Sequence, residues 1–262
     1  MTQKIVVEKE ASDDEKNRYR YAAELEAGNL LYFPEIPFDV SQEEIHSLKQ
    51  QLELYEKKTT QFLAKLLAPY AEDWIPGKAQ LVTAPKTAFS VEASPTLPVH
   101  GERILRFYTN LDAHHPYHWM TSYPFNDLAM MFGGKQIAFP RVLSSSILHR
   151  LARKTKKAMH RLGVNLSLQS PYDAFMFRME HFLKKNEQFQ ASCPKERWIF
   201  PPFSCWAIYT DLVTHAALSC HNVIEQTFIV PQKALLFPEK SPLGILERMT
   251  RGTLVISEYA RY

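Results

Sequence analysis

Short β-rich runs interrupted by proline are the feature that most limits what this chain can fold into. They occur between Ala79 and Asn110, where Arg103–Asn110 is the clearest, and return beyond Pro202 as Ser204–Val213 and Val223–Val230. Runs of this kind, bounded by turn residues, predict strands of a β core. We therefore predict an α+β protein in which helices flank the β core at one end and in a central insertion.

Helical periodicity is confined to the segments around this core. A capping-box pattern at Ser41–Glu44 precedes apolar residues at helical spacing as far as Leu67, which predicts a long helix. A second helix is predicted from Ser144 to Leu162, and a third from the N-cap Ser170 to Lys185. Two shorter helices are predicted at Tyr19–Glu26 and Leu243–Met249, and a strand at Leu30–Phe33.

These segments predict a simple domain organisation. We expect residues 1–18 to form a flexible, charged N-terminus. Residues 19–262 then form one domain with a helical insertion at about 144–185.

The composition excludes several classes of protein. The 262 residues are 45% hydrophobic and 23% charged, with a formal net charge of +3, which is ordinary for a globular protein and a weak basis for nucleic-acid binding. Three cysteines without C-x-x-C spacing argue against a disulfide framework and a zinc finger, and favour a reducing compartment. Because no signal peptide or 18-residue apolar run is present, we expect a cytoplasmic protein without a transmembrane segment.

Several separate motifs, in one order along the chain, resemble a bacterial family. The four that carry the resemblance are Gly101–Asn110, Ser170–Met179, Trp206–Ser219 and Ile224–Phe228. The chain is similar in these motifs to Kdo hydroxylases, which act on the sugar 3-deoxy-D-manno-oct-2-ulosonic acid. Leu25–Tyr32 and Ser241–Thr250 extend the likeness over most of the chain.

The resemblance implies a fold, a reaction and its cofactors. The implied core is a double-stranded β-helix of the jelly-roll or cupin kind, and the implied cofactors are Fe(II) and 2-oxoglutarate. The implied substrate is a lipid-linked sugar of a lipopolysaccharide precursor. Such a substrate predicts peripheral contact with the anionic surface of the inner membrane.

The metal-ligand motif of the family is only partly present. An iron(II) oxygenase of this class uses two histidines and one carboxylate, and leaves positions for cosubstrate and oxygen. The resemblance places His215 at the distal histidine. Where it implies Leu-His-x-Asp-Ala, the chain has Phe89–Ala93, so that Ser90 stands for the histidine and Glu92 for the aspartate.

This departure leaves three alternatives. In the first, Glu92 and His215 hold the metal with a substitute such as His100 or one of the histidines 114, 115 and 118. In the second, iron sits on a reduced ligand set completed by water or the Ser90 hydroxyl. In the third, no iron binds and the fold persists without catalysis.

Other residues are candidates for cofactor binding. Arg106 and Asn110 share one face of their predicted strand, and a guanidinium there could clamp the 2-oxoglutarate carboxylate. Gln226 and Thr227 on the last strand are further pocket candidates. Two other arrangements are open for these residues. Arg106 faces outward from its strand, or an ion pair joins Glu92 to Arg103 or Arg106.

Two clusters have a simpler explanation than a site. The histidines of His114–His118 lie on a predicted loop and are expected to be surface groups. The basic face of Ser144–Leu162 is that of a solvated helix or of a helix that meets anionic lipid.

The sequence thus leads to two hypotheses of function. The first is Kdo-hydroxylase-like oxidation of an inner-core sugar of lipopolysaccharide. The second is a catalytically degenerate homologue that binds an anionic sugar, a lipid or a protein partner. We name no catalytic residue beyond the metal candidates Glu92 and His215.

Overall fold

Two antiparallel-rich sheets organise the part of the chain that the computed structural model describes, which comprises residues 2–7, 15–39, 48–93, 98–139, 170–219 and 222–255. In chain order the strands are β1 (Lys4–Val6), β2 (Leu30–Phe33), β3 (Ile75–Leu81), β4 (Arg103–Asn110), β5 (Tyr117–Pro124), β6 (Glu196–Phe200), β7 (Cys205–Tyr209), β8 (Val213–Ala217) and β9 (Val223–Val230).

The larger sheet has six strands in the order β1-β2-β7-β4-β9-β3. Its centre is β4, which pairs antiparallel with β7 on one side and with β9 on the other. All eight residues of β4 are buried. A strand buried on both faces needs a cover on each side.

Helices cover one face of the six-stranded sheet. The helices are α1 (Glu15–Glu26), α2 (Leu48–Leu66), α3 (Ala68–Ala71), α4 (Phe125–Phe132), α5 (Pro171–Lys185), α6 (Glu187–Ser192) and α7 (Pro242–Thr250). Phe62 of α2 packs edge-on against Phe33 of β2, and Tyr70 of α3 packs against Tyr209 of β7. The first three helices therefore form the cover of this face.

The smaller sheet covers the opposite face. It has three strands in the order β6-β5-β8, and an isolated bridge from Ser90 to His215 extends it beyond β8. Trp206 of the larger sheet stacks on Phe200 of the smaller one with ring centroids 3.9 Å apart. Tyr108 and Trp119 join the same aromatic cluster. The space between the two sheets is therefore a packed aromatic core at one end.

Most predicted elements that fall on described residues are confirmed. Strands β4 and β9 have the predicted bounds, as has β2. Ser170 caps α5 through a capping box with Asp173. The Ser41–Glu44 capping box and the Ser144–Leu162 helix lie outside the described residues.

Three predictions need correction. The segment Ser204–Val213 is two strands, β7 and β8, separated by a turn at Thr210–Leu212. His118 belongs to β5 rather than to a loop. Residues 4–6 form an edge strand on β2, and α1 begins at Glu15, so part of the expected flexible N-terminus has regular structure. None of the helices in the described ranges has the length and apolar character needed to span a bilayer.

Candidate functional site

The residues of the expected metal motif lie on the inner side of the larger sheet, where the smaller sheet ends. Ser90 and His215 form an antiparallel bridge, in which the Ser90 amide donates to the His215 carbonyl at 3.3 Å and the His215 amide donates back at 3.1 Å. Two residues later, the Glu92 amide donates to the Thr210 carbonyl at 3.0 Å. The backbone thus holds Glu92 between β8 and the turn that follows β7.

The Glu92 carboxylate is bound by an arginine. Arg106 of β4 donates from Nε to Glu92 Oε2 at 2.7 Å and from Nη2 to Oε1. The Thr210 hydroxyl donates to Oε2 at 2.5 Å. Both carboxylate oxygens therefore accept from the protein, in the bidentate geometry that guanidinium and carboxylate favour. Of the two alternatives for Glu92, the ion pair with Arg106 is the arrangement that the structure has.

A second carboxylate lies beside the same guanidinium. Glu225 of β9 lies opposite Tyr108 of β4, and its Oε1 is 2.6 Å from Arg106 Nη1. Gln80 of β3 donates to the same Glu225 oxygen at 2.6 Å. We call Glu92, Arg106 and Glu225 the interior ion cluster. With two carboxylates and one guanidinium, the cluster has an excess of one acidic group over basic groups.

The charge states follow from these contacts. Burial alone would raise the pKa of Glu92, but the charge and hydrogen bonds of Arg106 and the Thr210 hydroxyl outweigh burial and lower it to about 2. Burial alone would lower the pKa of Arg106, yet Glu92 and other neighbours raise it well above its usual value. The pair is therefore ionised at neutral pH. Its side chains keep some access to solvent, 18% for Glu92 and 10% for Arg106.

His215 stands next to the cluster without joining it. Its Nδ1 lies 3.1 Å from the Val213 carbonyl, and its ring is 5.3 Å from that of Trp119. Burial lowers the pKa of His215, although the charge of Glu92 opposes the shift. The imidazole is therefore neutral at pH 7.

Two predicted cofactor residues point elsewhere. The Asn110 amide donates to the carbonyls of His115, Phe200 and Pro201, and its Oδ1 accepts from the Asp112 amide. Asn110 therefore fastens the loop after β4 instead of offering its amide to a ligand.

Gln226 needs the same correction. It donates to Thr60 of α2 and to the Gly77 carbonyl, on the helix-covered face of the sheet. Side chains alternate along a strand, so Gln226 cannot share the face of Arg106. Thr227, which pairs with Arg106 across the strands, lies on that face instead.

The substitute metal ligands are not at this site. His100 Nδ1 lies 3.2 Å from Asp173 Oδ2, and His115 Nδ1 lies 3.0 Å from Asp112 Oδ1. His118 is exposed on β5. Over the described residues, no three His, Cys, Asp or Glu side chains come together in a group that could hold a metal ion. In this structure, therefore, none of His100, His115 and His118 completes a ligand set with Glu92 and His215.

The sequence from residue 41 to residue 253 matches the family model of 3-deoxy-D-manno-oct-2-ulosonic acid (Kdo) hydroxylase. The chain belongs to the Kdo hydroxylase family. No protein of curated function matches it in sequence.

Solved structures agree with this membership at the level of fold. The Kdo hydroxylase KdoO, a non-heme Fe(II) alpha-ketoglutarate-dependent dioxygenase, has been solved with succinate and Fe(III), and that structure matches with a TM-score of 0.80. The match has 24% identity and covers 98% of each chain. Structures of KdoO with alpha-ketoglutarate and Fe(III) and with cobalt(II) match with TM-scores of 0.79. The chain therefore shares the fold of KdoO.

The residues of this chain do not fit the metal that KdoO holds. A facial site needs three donors with lone pairs free to face the ion. Here Ser90 is a neutral hydroxyl, and both oxygens of Glu92 accept from Arg106. His215 is the one expected ligand that has neither been replaced nor been paired with a charged group.

Proposed function

We propose that this Kdo hydroxylase family member binds a Kdo-containing sugar of a lipopolysaccharide precursor without oxidising it, on a core that is a double-stranded β-helix. The observation that carries the proposal is the bidentate pair of Arg106 with Glu92 in place of a metal ligand. Family membership supports the sugar, and the ion pair argues against iron chemistry.

The energetics of the pair support the same conclusion. A metal could take Glu92 only if the carboxylate left Arg106 and the Thr210 hydroxyl. Separation would leave a guanidinium that is mostly buried, with Glu225 as its remaining charged partner among the described residues. Loss of the bidentate partner of this guanidinium costs about 1–3 kcal/mol. Iron that lacks one imidazole ligand has less binding energy to offset that cost.

The interior ion cluster is suited to hydroxyl groups. Carboxylate oxygens accept from sugar hydroxyls, and Thr227 adds a hydroxyl on the same face. The excess of acidic groups in the cluster disfavours a carboxylate at close range. Kdo is a sugar acid, so we expect its hydroxylated end to face Glu92 and its carboxylate to lie towards a cation such as the exposed Lys86, whose charge acts on His215.

Binding in the presence of a chelator tests the proposal. Calorimetric titration with Kdo and with a Kdo-bearing lipid A precursor should give the same affinity with and without EDTA. Lys86→Ala should weaken binding of the acid, whereas Lys57→Ala on the distant helix α2 should not. Loss of binding in EDTA, or equal effects of the two lysine variants, would contradict the proposal.

Hydroxylation is the second candidate, and the position of His215 beside Glu92 favours it. Anaerobic titration with Fe(II) and 2-oxoglutarate separates the two functions, because the chelate of these groups gives a visible charge-transfer band. We expect no band in the wild-type protein. A band at stoichiometric iron that disappears in His215→Ala would establish the hydroxylase instead.

The sequence-based expectations of a cytoplasmic location and of peripheral contact with an anionic membrane surface stay predictions. The basic segment that motivates the membrane contact, Ser144–Leu162, lies outside the described residues. Sedimentation of the full chain with vesicles that contain anionic lipid, compared with neutral vesicles, would test the contact.

A further inference from the structure

The outer face of helix α5 carries an open groove with a volume of about 390 Å³ and an almost entirely apolar floor. A groove of this size falls within the range of ligand-binding sites. It lies at the C-terminal end of the helix and shares no residue with the interior ion cluster. Six residues line it, namely Phe177, Arg178, His181, Phe182, Lys185 and Asn186.

Basic groups form a stripe along this groove. Arg178, His181 and Lys185 are spaced three and four residues apart, so their side chains lie on one face of the helix. All three residues are exposed. Among the described residues no carboxylate pairs with any of them, whereas Lys184 on the neighbouring face pairs with Glu180 at 2.7 Å. The stripe therefore presents positive charge that the described part of the chain does not neutralise.

Aromatic rings flank the stripe. Phe177 is 37% exposed, and its ring stacks on that of His181 with the ring centroids 6.2 Å apart. Phe182 lies on the other side of the stripe, and its ring packs edge-on against Phe132 of α4 with the centroids 5.0 Å apart. One ring is thus fixed against the protein, while the other projects next to the cations.

The surface of an anionic bilayer matches these features. Lys and Arg side chains attract lipid phosphate groups, and a neighbouring phenylalanine can enter the boundary between head groups and acyl chains. Arg178 donates to the Ala138 carbonyl at 3.2 Å, and the guanidinium has further donors for a phosphate. A stable protein complex buries about 800 Å² on each partner, whereas the groove is formed by the last turns of one helix.

We propose that the groove on α5 docks this protein on the phosphate groups of an anionic lipid bilayer, with Phe177 at the boundary of the acyl chains. The groove is a second site, separate from the interior proposed to bind the sugar. It assigns a membrane contact to described residues, in addition to the contact predicted for Ser144–Leu162.

Hydrogen bonds connect the groove to the segment that carries Ser90. Asn186 caps α6 by accepting from the Phe189 amide at 3.0 Å. In the same helix, the Gln190 side chain donates to the Phe89 carbonyl and accepts from the Phe89 amide, at 2.8 Å each. Docking through α5 therefore sets the position of this segment relative to the bilayer, where a lipid-linked sugar is presented. This consequence rests on the proposed function, whereas the docking itself does not.

Sedimentation of the full chain with vesicles tests the docking. With vesicles of phosphatidylcholine and phosphatidylglycerol at low ionic strength, Arg178→Gln with Lys185→Gln should weaken binding about 25-fold, because each cation near an anionic surface contributes about a factor of five. Phe177→Ala should weaken it about threefold, because only part of the ring is free to leave water. Vesicles of phosphatidylcholine alone should not sediment the protein.

A charge-matched control separates the groove from general attraction. Lys184→Gln with Lys57→Gln removes two cations outside the groove, one on the neighbouring face of α5 and one on α2. We expect this variant to lose about twofold or less. Equal losses in the two double variants would overturn the proposal. So would unchanged binding of Phe177→Ala, or a wild-type protein that does not sediment with the anionic vesicles.

Inorganic phosphate distinguishes a bilayer from a free anion as the occupant. At matched ionic strength, we expect phosphate to release the protein from the vesicles no more than chloride does. Release by phosphate alone would mean a site for the free anion and would overturn the docking.

Vesicle binding and sugar binding are measured separately. Failure to bind Kdo in EDTA would contradict the proposed function and leave the docking standing. A protein that binds Kdo but does not sediment with anionic vesicles would contradict only the docking.

Discussion

Strand β4 carries two arginine–carboxylate pairs, three residues apart and on opposite faces of the sheet. Arg103 donates from Nε and Nη2 to Asp211 at 2.8 and 3.2 Å, and its guanidinium lies 3.8 Å from the centre of the Tyr209 ring. Arg106 makes the corresponding contacts to Glu92. The side chains of the first pair are 0% and 1% exposed, whereas those of the second are 10% and 18% exposed.

The difference indicates what each pair does. The Arg103 pair is sealed under the helices, has one carboxylate and stacks on an aromatic ring, as expected for a structural pair. The Arg106 pair opens towards solvent and has a second carboxylate, Glu225. Of these two pairs, only the open one includes Glu92, which the sequence resemblance places at the carboxylate of the metal motif, and its partial exposure lets a ligand compete for the same atoms.

The largest effect is expected from breaking the sealed pair. Asp211→Asn leaves the buried Arg103 guanidinium without a carboxylate partner among the described residues, and we expect a loss of about 3–5 kcal/mol in the free energy of unfolding. Urea denaturation followed by circular dichroism measures it. A loss below that of Glu92→Gln would contradict the distinction between a sealed and an open pair.

Breaking the open pair should cost less. In Glu92→Gln, Arg106 keeps Glu225 as a partner and gains access to water, so we expect a loss of about 1–3 kcal/mol. The same urea titration measures it, with Glu53→Gln on the exposed face of α2 as the matched control, where no change is expected. A loss as large as that of Asp211→Asn would show that the pair is effectively sealed.

Elements that depend on local sequence pattern were predicted correctly, whereas a boundary that depends on tertiary contacts was missed. The strand bounds of β4 and β9 and the Ser170 cap follow from local pattern and capping chemistry, and these predictions were correct. The division of Ser204–Val213 into two strands was missed, since the turn at Thr210–Leu212 has neither glycine nor proline to mark it. It is held by tertiary contacts, such as the Glu92 amide on the Thr210 carbonyl.

The site was predictable only in part. The departure at Ser90 and Glu92 can be seen in the sequence, and the Arg106 ion pair was one of two alternatives. Glu225 was missed, although a carboxylate in the otherwise apolar start of β9 requires a buried partner. Identifying Arg106 as that partner requires the register of β9 on β4. Because neighbouring side chains of a strand point to opposite faces, Gln226 and Thr227 cannot line the same pocket.

Asp173 gives a third case for comparison, because backbone amides and not an arginine hold its carboxylate. Asp173 accepts from the amides of Val99, His100 and Ser170. Burial alone would raise its pKa, but hydrogen bonds from His100 and Ser170 outweigh burial and lower it. A folded-state pKa below the unfolded value means that the carboxylate contributes stability above about pH 4 and that this contribution is lost as the pH falls through the folded pKa.

Asp173→Asn should therefore reduce stability at pH 7 by about 1–2 kcal/mol and flatten the acid limb of the stability curve. Urea titrations between pH 7 and pH 2 would measure both effects. Stability that falls equally steeply in acid with and without Asp173 would contradict the lowered pKa.

The smallest effect is expected at the hydroxyl that supports the open pair. Thr210→Val keeps the shape of the side chain and removes the donor to Glu92 Oε2 at 2.5 Å. The carboxylate keeps Arg106 and some access to water, so we expect a loss of about 0.5–1.5 kcal/mol by urea denaturation. A double-mutant cycle with Glu92→Gln should show coupling, because the two groups share one hydrogen bond. If the two losses simply add, the hydroxyl does not hold Glu92, and Arg106 fixes the carboxylate without it.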